Sequence, residues 1–221
     1  MHIVWDWNGT LFDDLDLVVA AVNQGLARLG AGPIDLDGYR THYTRPVKRF
    51  YDRLMGHEVS DEDWLILDRV FHDAYRQALE GARLTVDAAE ALQMVAAAGH
   101  TQSLLSMFPH ADLIPLVERL GIAGYFDRID GLAAGSTPGD LKAVYLELHL
   151  RQLIGAEDPA EVVVIGDTPD DALAAAHVGA RAILYDGGSH HRQDLESIGV
   201  EVVGSLLAAV RSTLALLPPA R

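Results

Sequence analysis

The sequence predicts an α/β protein with a doubly wound parallel-sheet core and an inserted all-helical domain. Three observations carry that prediction. Short β-branched runs alternate with helical patterns of about ten to fifteen residues, the signature of crossover units. Residues 14–83 break the alternation with helical patterns alone, and residues able to do chemistry recur where four of the runs end. The expected division is an α/β core of residues 1–13 and 84–221 and a helical cap of residues 14–83.

The elements follow in order. The run Ile3 to Trp5 forms the first strand and ends on Asp6. A helix begins near Asp14 and is ended by Gly30 and Gly32, and Pro46 opens a second over Val47 to Met55. Ser60-Asp61-Glu62-Asp63 resembles a capping box ahead of the amphipathic stretch Trp64 to Leu79. This insert leaves a cap over the strand ends, on hinges near Phe12-Asp13 and Gly81-Ala82. Thr85 caps a helix running to Ala98, where Gly99 stops it, and the strand Thr101 to Leu105 follows. Pro109 starts a helix that Gly121 stops, before the strand Arg128 to Gly131. The alternation continues with a helix Asp140 to Leu153, a strand Val162 to Ile165, a helix Asp170 to Val178 and strands Ala182 to Leu184 and Val200 to Val203. A helix from Ser205 to Leu216 ends it. The pattern is that of a Rossmann-like core, whose ligands bind outside the carboxyl ends of the strands.

Composition narrows the function. The 221 residues are 49% hydrophobic and 22% charged, which describes a globular chain able to bury a core and an accessory module. A formal net charge of -15 argues against a nucleic-acid backbone or an anionic membrane as the main partner. The absence of cysteine excludes a disulfide framework, a thiolate zinc site and a cysteine nucleophile. No basic segment followed by an apolar stretch resembles a signal peptide, so a cytoplasmic location is expected. The histidines show no ligand spacing, and no zinc site is expected. Oligomeric state is not legible in the sequence.

Four features mark the strand ends: Asp6-Trp7-Asn8-Gly9-Thr10, Ser106, Lys142 after the Gly135-Ser136-Thr137-Pro138-Gly139 loop, and Gly166-Asp167-Thr168-Pro169-Asp170-Asp171. Asp6 alone could be a turn or helix cap, and Ser106 alone a turn residue; their order and spacing favour a site. Lys142 is one of only two lysines against fifteen arginines. Together these features resemble the haloacid dehalogenase-like hydrolase superfamily, in particular its phosphatases of the phosphoglycolate phosphatase-like type, with a helical cap inserted after the first motif. The resemblance covers essentially the whole chain.

The chemistry is consistent with that resemblance. A carboxylate such as Asp6 can attack phosphorus and divide one hard hydrolysis into two easier steps through an aspartyl phosphate. A cluster of Asp6, Asp167 and neighbouring acids needs a hard divalent cation to face a phosphate, and Mg2+ fits. The resemblance implies that the main-chain carbonyl of Asn8 joins Asp6 and Asp167 on the metal, that Asp171 orients the metal's waters or Lys142, and that Ser106 and Lys142 serve the phosphoryl group. Thr10 and Met107 are expected beside a small phosphorylated substrate, with Arg45 and His42 contributed by the cap.

Asn8 departs from the family, whose phosphatases usually carry an aspartate there as proton donor and water activator. An amide can donate a hydrogen bond but cannot exchange a proton, a loss of roughly a hundredfold to ten-thousandfold. Asn8→Asp is therefore expected to accelerate hydrolysis of alkyl phosphates more than of acetyl phosphate. The competing expectation is a phosphate-binding or regulatory protein that has lost turnover. A 2-haloacid dehalogenase fits less well, because such enzymes typically lack the acidic loop around Asp167.

Overall fold

The computed structural model describes residues 1–133, 141–153 and 158–215. The strands are β1 His2–Trp5, β2 Phe12–Asp13, β3 Arg83–Leu84, β4 Thr101–Pro109, β5 Arg128–Leu132, β6 Val162–Gly166, β7 Arg181–Tyr185 and β8 Glu201–Val203. The helices are α1 Leu15–Arg28, α2 Leu36–His42, α3 Val47–Met55, α4 Asp61–Ala78, α5 Ala88–Ala97, α6 His110–Arg119, α7 Lys142–Gln152, α8 Pro169–Val178, α9 Arg192–Glu196 and α10 Leu206–Ala215.

Six strands form one parallel sheet in the order β5-β4-β1-β6-β7-β8. The chain runs outward from β1 through β4 to β5, then returns to place β6 on the other side of β1. That reversal opens a crevice at the carboxyl ends of β1, β4 and β6. The β1 run reads as continuously apolar after His2 because both faces of the sheet are covered. Ile3 and Trp5 pack with Leu92 of α5, Leu113 of α6 and Val210 of α10, while Val4 packs with Leu146 of α7 and Ala174 of α8. Burying each such aliphatic side chain contributes about 1.5–3 kcal/mol.

The inserted helices have a separate core built on Val22, Leu26, Tyr39, Phe50, Tyr51 and Leu67. The glycine at 25 lets α1 approach α4, since a Cβ there would come within 3.1 Å of Leu67 Cδ2. Ser60 caps α4 by accepting from the Asp63 amide at 3.1 Å.

Several elements differ from the sequence expectation. The segment expected as the first hinge, Phe12-Asp13, is strand β2, which pairs antiparallel with β3, Phe12 opposite Leu84 and Asp13 opposite Arg83, so the second crossing lies just beyond Gly81-Ala82. β4 runs past Leu105 to Pro109 through an irregularity, which puts Ser106 inside the strand. α5 begins at Ala88, and its N-cap position is taken not by the expected Thr85 but by Asp87, which has a left-handed φ of 63° and makes no side-chain cap hydrogen bond. The helices α2 and α9 are additional. The Gly135 to Gly139 loop, Asp140 and Leu216 lie outside the described residues.

Candidate active site

β1 ends at Trp5, and the Asp6 amide donates to the Ile165 carbonyl of β6 at 2.8 Å. This tie holds the Asp6 side chain at the mouth of the crevice, where it is 8% exposed. From the start of α7, the Lys142 ammonium contacts Asp6 Oδ1 and lies 2.5 Å from Asp171 Oδ1. The other Asp171 oxygen accepts from the Thr168 amide at 3.0 Å and the Thr168 hydroxyl at 2.7 Å, closing the first turn of α8. Asp167 Oδ2 accepts from the amide and hydroxyl of Ser189, both at 2.7 Å. The Thr10 hydroxyl lies between the two motifs, 3.4 Å from Asp6 Oδ2 and 3.2 Å from Asp167 Oδ1.

Two glycines make room for Asp167. Gly9 has φ +70° and a Cβ there would lie 2.6 Å from Asp167 Oδ2, while a Cβ on Gly188 would overlap the same carboxylate.

Carboxylate oxygens of Asp6, Asp167 and Asp171 lie within 4.8 Å of one another, all buried. Lys142 is the ammonium against these three acids. Burial pushes Asp6 up to about 6, against the opposing pull of Lys142. Burial, with Asp6 and Asp171 nearby, pushes Asp167 up to about 8. Asp171 is also buried, but Lys142 and the Thr168 donors outweigh burial and lower it. Burial would depress Lys142, yet Asp171 and Asp6 raise it, so it stays charged. Three buried carboxylates against one ammonium leave an oxygen cluster that suits a hard divalent cation.

A cleft of about 100 Å³ opens onto these groups and is lined by Asp6, Asn8, Ser106, Met107, Lys142 and Asp167 together with Tyr39, Tyr43 and Arg45 from the cap. The Ser106 hydroxyl accepts from the Phe108 amide at 3.0 Å. Arg45 reaches Asp170 at 3.6 Å, with both side chains about half exposed. His42 is not among the lining residues; it closes α2, with its carbonyl toward Arg53, and its neighbour Tyr43 faces the cleft instead. Lys48 pairs with Asp61 on the cap surface.

Sequence reasoning missed Ser189, which the Gly187-Gly188 pair before it could have signalled. It also missed Asp14 and Tyr75, which hydrogen-bond to Asn8. Burial raises Asp14, while Tyr75, Asn8 and the Gly9 amide hold it back.

Residues 1–179 match the family model described as haloacid dehalogenase-like hydrolase, most of the chain. The chain belongs to this family. Among the relatives of this haloacid dehalogenase-like hydrolase, a phosphoglycolate phosphatase of Pseudomonas fluorescens is 25% identical over 218 residues, covering 96% of this chain and 79% of the relative. A phosphoglycolate phosphatase of Chromobacterium violaceum is 25% identical over 212 residues, covering 93% and 92%. The fold is shared with a crystal structure described as a predicted phosphatase from Clostridium acetobutylicum, with a TM-score of 0.81, 18% identity and coverage of 97% and 98%. Among the described residues, no helix of this hydrolase is long and apolar enough to cross a membrane.

Proposed function

We propose that this hydrolase is a Mg2+-dependent phosphatase of a small phosphorylated metabolite, working through an aspartyl phosphate on Asp6. The observation that carries the reading is the convergence of Asp6, Asp167 and Asp171, from β1 and the β6–α8 turn, on one buried cluster beside Lys142. The names of the relatives support the same chemistry and point to phosphoglycolate as a first substrate to try.

In this reading Asp6, Asp167 and the Asn8 main-chain carbonyl would hold Mg2+, which would supply neutralisation of the phosphoryl charge, while Asp171 holds Lys142 in place. An Asp6 oxygen attacks phosphorus; the bond from phosphorus to the leaving oxygen breaks, and the electron pair departs on that oxygen. Lys142 keeps Asp6 ionised and offsets charge on the transferring group, while Thr10, Ser106 and Met107 border it. Water then attacks phosphorus, the bond to Asp6 breaks with its electron pair returning to the carboxylate, and both protons of the water leave on inorganic phosphate. Arg45 exchanges its exposed pairing with Asp170, worth under about 1 kcal/mol, for an anionic group on the substrate. The 100 Å³ cleft favours a compact molecule.

Asp6→Asn is expected to abolish Mg2+-dependent phosphate release from phosphoglycolate, acetyl phosphate and an activated aryl ester, measured on folded protein. Release at the wild-type rate from any of these would remove Asp6 as nucleophile.

A further inference from the structure

Helix α7 turns a largely polar face to the sheet. Its buried residues are Lys142, Leu146 and His149, spaced four and three apart along one side. Val144 and Leu148 lie half a turn away and are about half exposed. Leu146 is the fully buried aliphatic side chain of this helix, and it packs with Val4, Leu105 and Val162. Apolar burial does not choose this orientation, because turning the helix about its axis would cover two aliphatic side chains in place of one. Two polar attachments choose it.

The first is Lys142 on Asp6 and Asp171. The second lies two turns further along, roughly 10 Å from the first and away from the crevice. There His149 Nδ1 is 2.6 Å from Asp130 Oδ2 of β5, and His149 Nε2 is 2.8 Å from the Ser103 hydroxyl of β4. The same hydroxyl is 2.7 Å from His2 Nε2 of β1, and His2 Nδ1 is 2.8 Å from the Thr101 hydroxyl. Arg128 pairs with the Asp130 oxygen that His149 meets. His2, Ser103 and His149 are all buried, and the chain ties α7 to three adjacent strands, β5, β4 and β1.

Counting protons shows that this attachment is complete. Burial would raise the Asp130 carboxyl, but His149 and Arg128 outweigh burial and lower it, so it accepts and His149 Nδ1 donates. Ser103 has one proton to place between two imidazole nitrogens. With His149 Nε2 bare, Ser103 donates to it and accepts from His2; with a proton on His149 Nε2, Ser103 accepts from it and donates to His2. Each link is satisfied either way.

We infer that His149, held by Ser103 and Asp130, is a positioning residue: it fixes the rotation of α7 and so aims Lys142 at Asp6 and Asp171 from the far end of the helix. A lysine carries its charge on a flexible four-carbon stem, so its ammonium reaches both carboxylates only while its helix presents it to the crevice. The effect on turnover rests on the phosphatase reading above; the placement of Lys142 does not.

The chain has only two lysines, and Lys48 pairs with Asp61 on the cap surface. Full-length protein carrying 13C on lysine alone therefore gives nuclear magnetic resonance signals from Lys142 and one internal reference. Wild type, His149→Ala, Ser103→Ala and His149→Ala with Val144→Ser and Leu148→Ser are compared without metal, well below their unfolding temperatures. In His149→Ala the Lys142 side-chain signals are expected to move toward those of a solvated lysine while those of Lys48 stay. Ser103→Ala removes one hydroxyl without touching α7 and should move Lys142 the same way by less. Removing the competing apolar face with the two serines should return the Lys142 signals toward wild type. With Mg2+ and an activated aryl phosphate, kcat should fall about a hundredfold in His149→Ala with KM little changed. Unchanged Lys142 signals in folded His149→Ala or Ser103→Ala, or Lys48 and Lys142 shifting together as in a general loosening, overturn the inference. No phosphate release by wild type overturns the phosphatase reading alone, because the lysine signals decide the placement without turnover.

Discussion

Asp167 carries two donors from Ser189, contact from Thr10 and a position raised to about 8. Its sign in stability follows from that direction. A carboxyl raised in the fold binds its proton more tightly folded than unfolded, so it supports the fold below its ordinary value of 3.8 and that support is lost as pH rises toward about 8. Metal-free Asp167→Asn is therefore expected to gain Tm relative to wild type between pH 5 and 8, and saturating Mg2+ to reverse the order. A constant Tm difference across that range would contradict the account. Asp6 and Asp167 were legible because each ends a readable apolar run, Asp171 because it stands in the same acidic turn, and Lys142 because it is one of only two lysines. Asp14 was legible only as a helix start, since its role depends on Tyr75, 61 positions away. His42 was misread because the turn after α2 directs the next side chain, Tyr43, into the cleft.

At the scale of elements, β1 and β6 were the most readable strands because burial on both faces leaves nearly uninterrupted apolar runs. The strands β2 and β3 were not: two residues each carry no period, and their pairing exists only once the insert has folded. A second link between cap and core comes from α2. Arg40 donates to the carbonyls of Gly188 at 2.9 Å and Gly187 at 3.0 Å, and the next residue, Ser189, holds Asp167. The cap thus braces the loop that orients the Asp167 carboxylate. Arg40→Ala is expected to weaken Mg2+ binding by up to about tenfold, measured calorimetrically, without losing the fold. Unchanged affinity would mean that Ser189 is held by the core alone.

For the molecule as a whole, a sheet reversal at β1 builds a crevice, an inserted helical layer covers it, and the two contribute different chemistry. The sheet side provides the acids and Lys142; the helical side provides Arg45, Tyr39 and Tyr43. This division was visible in the sequence as a break in rhythm between residues 14 and 83. What it could not reveal was how the layers are fastened, because Asn8–Tyr75 and Arg40–Gly188 join residues far apart in the chain. The account turns on one shared cation between Asp6 and Asp167. A crystal structure with Mg2+ and a fluoride mimic of phosphate tests it directly. The expected result is a single ion with both carboxylates at about 2.0–2.1 Å and the mimic on Asp6. Carboxylates turned to separate places, with no ion shared between them, would contradict it.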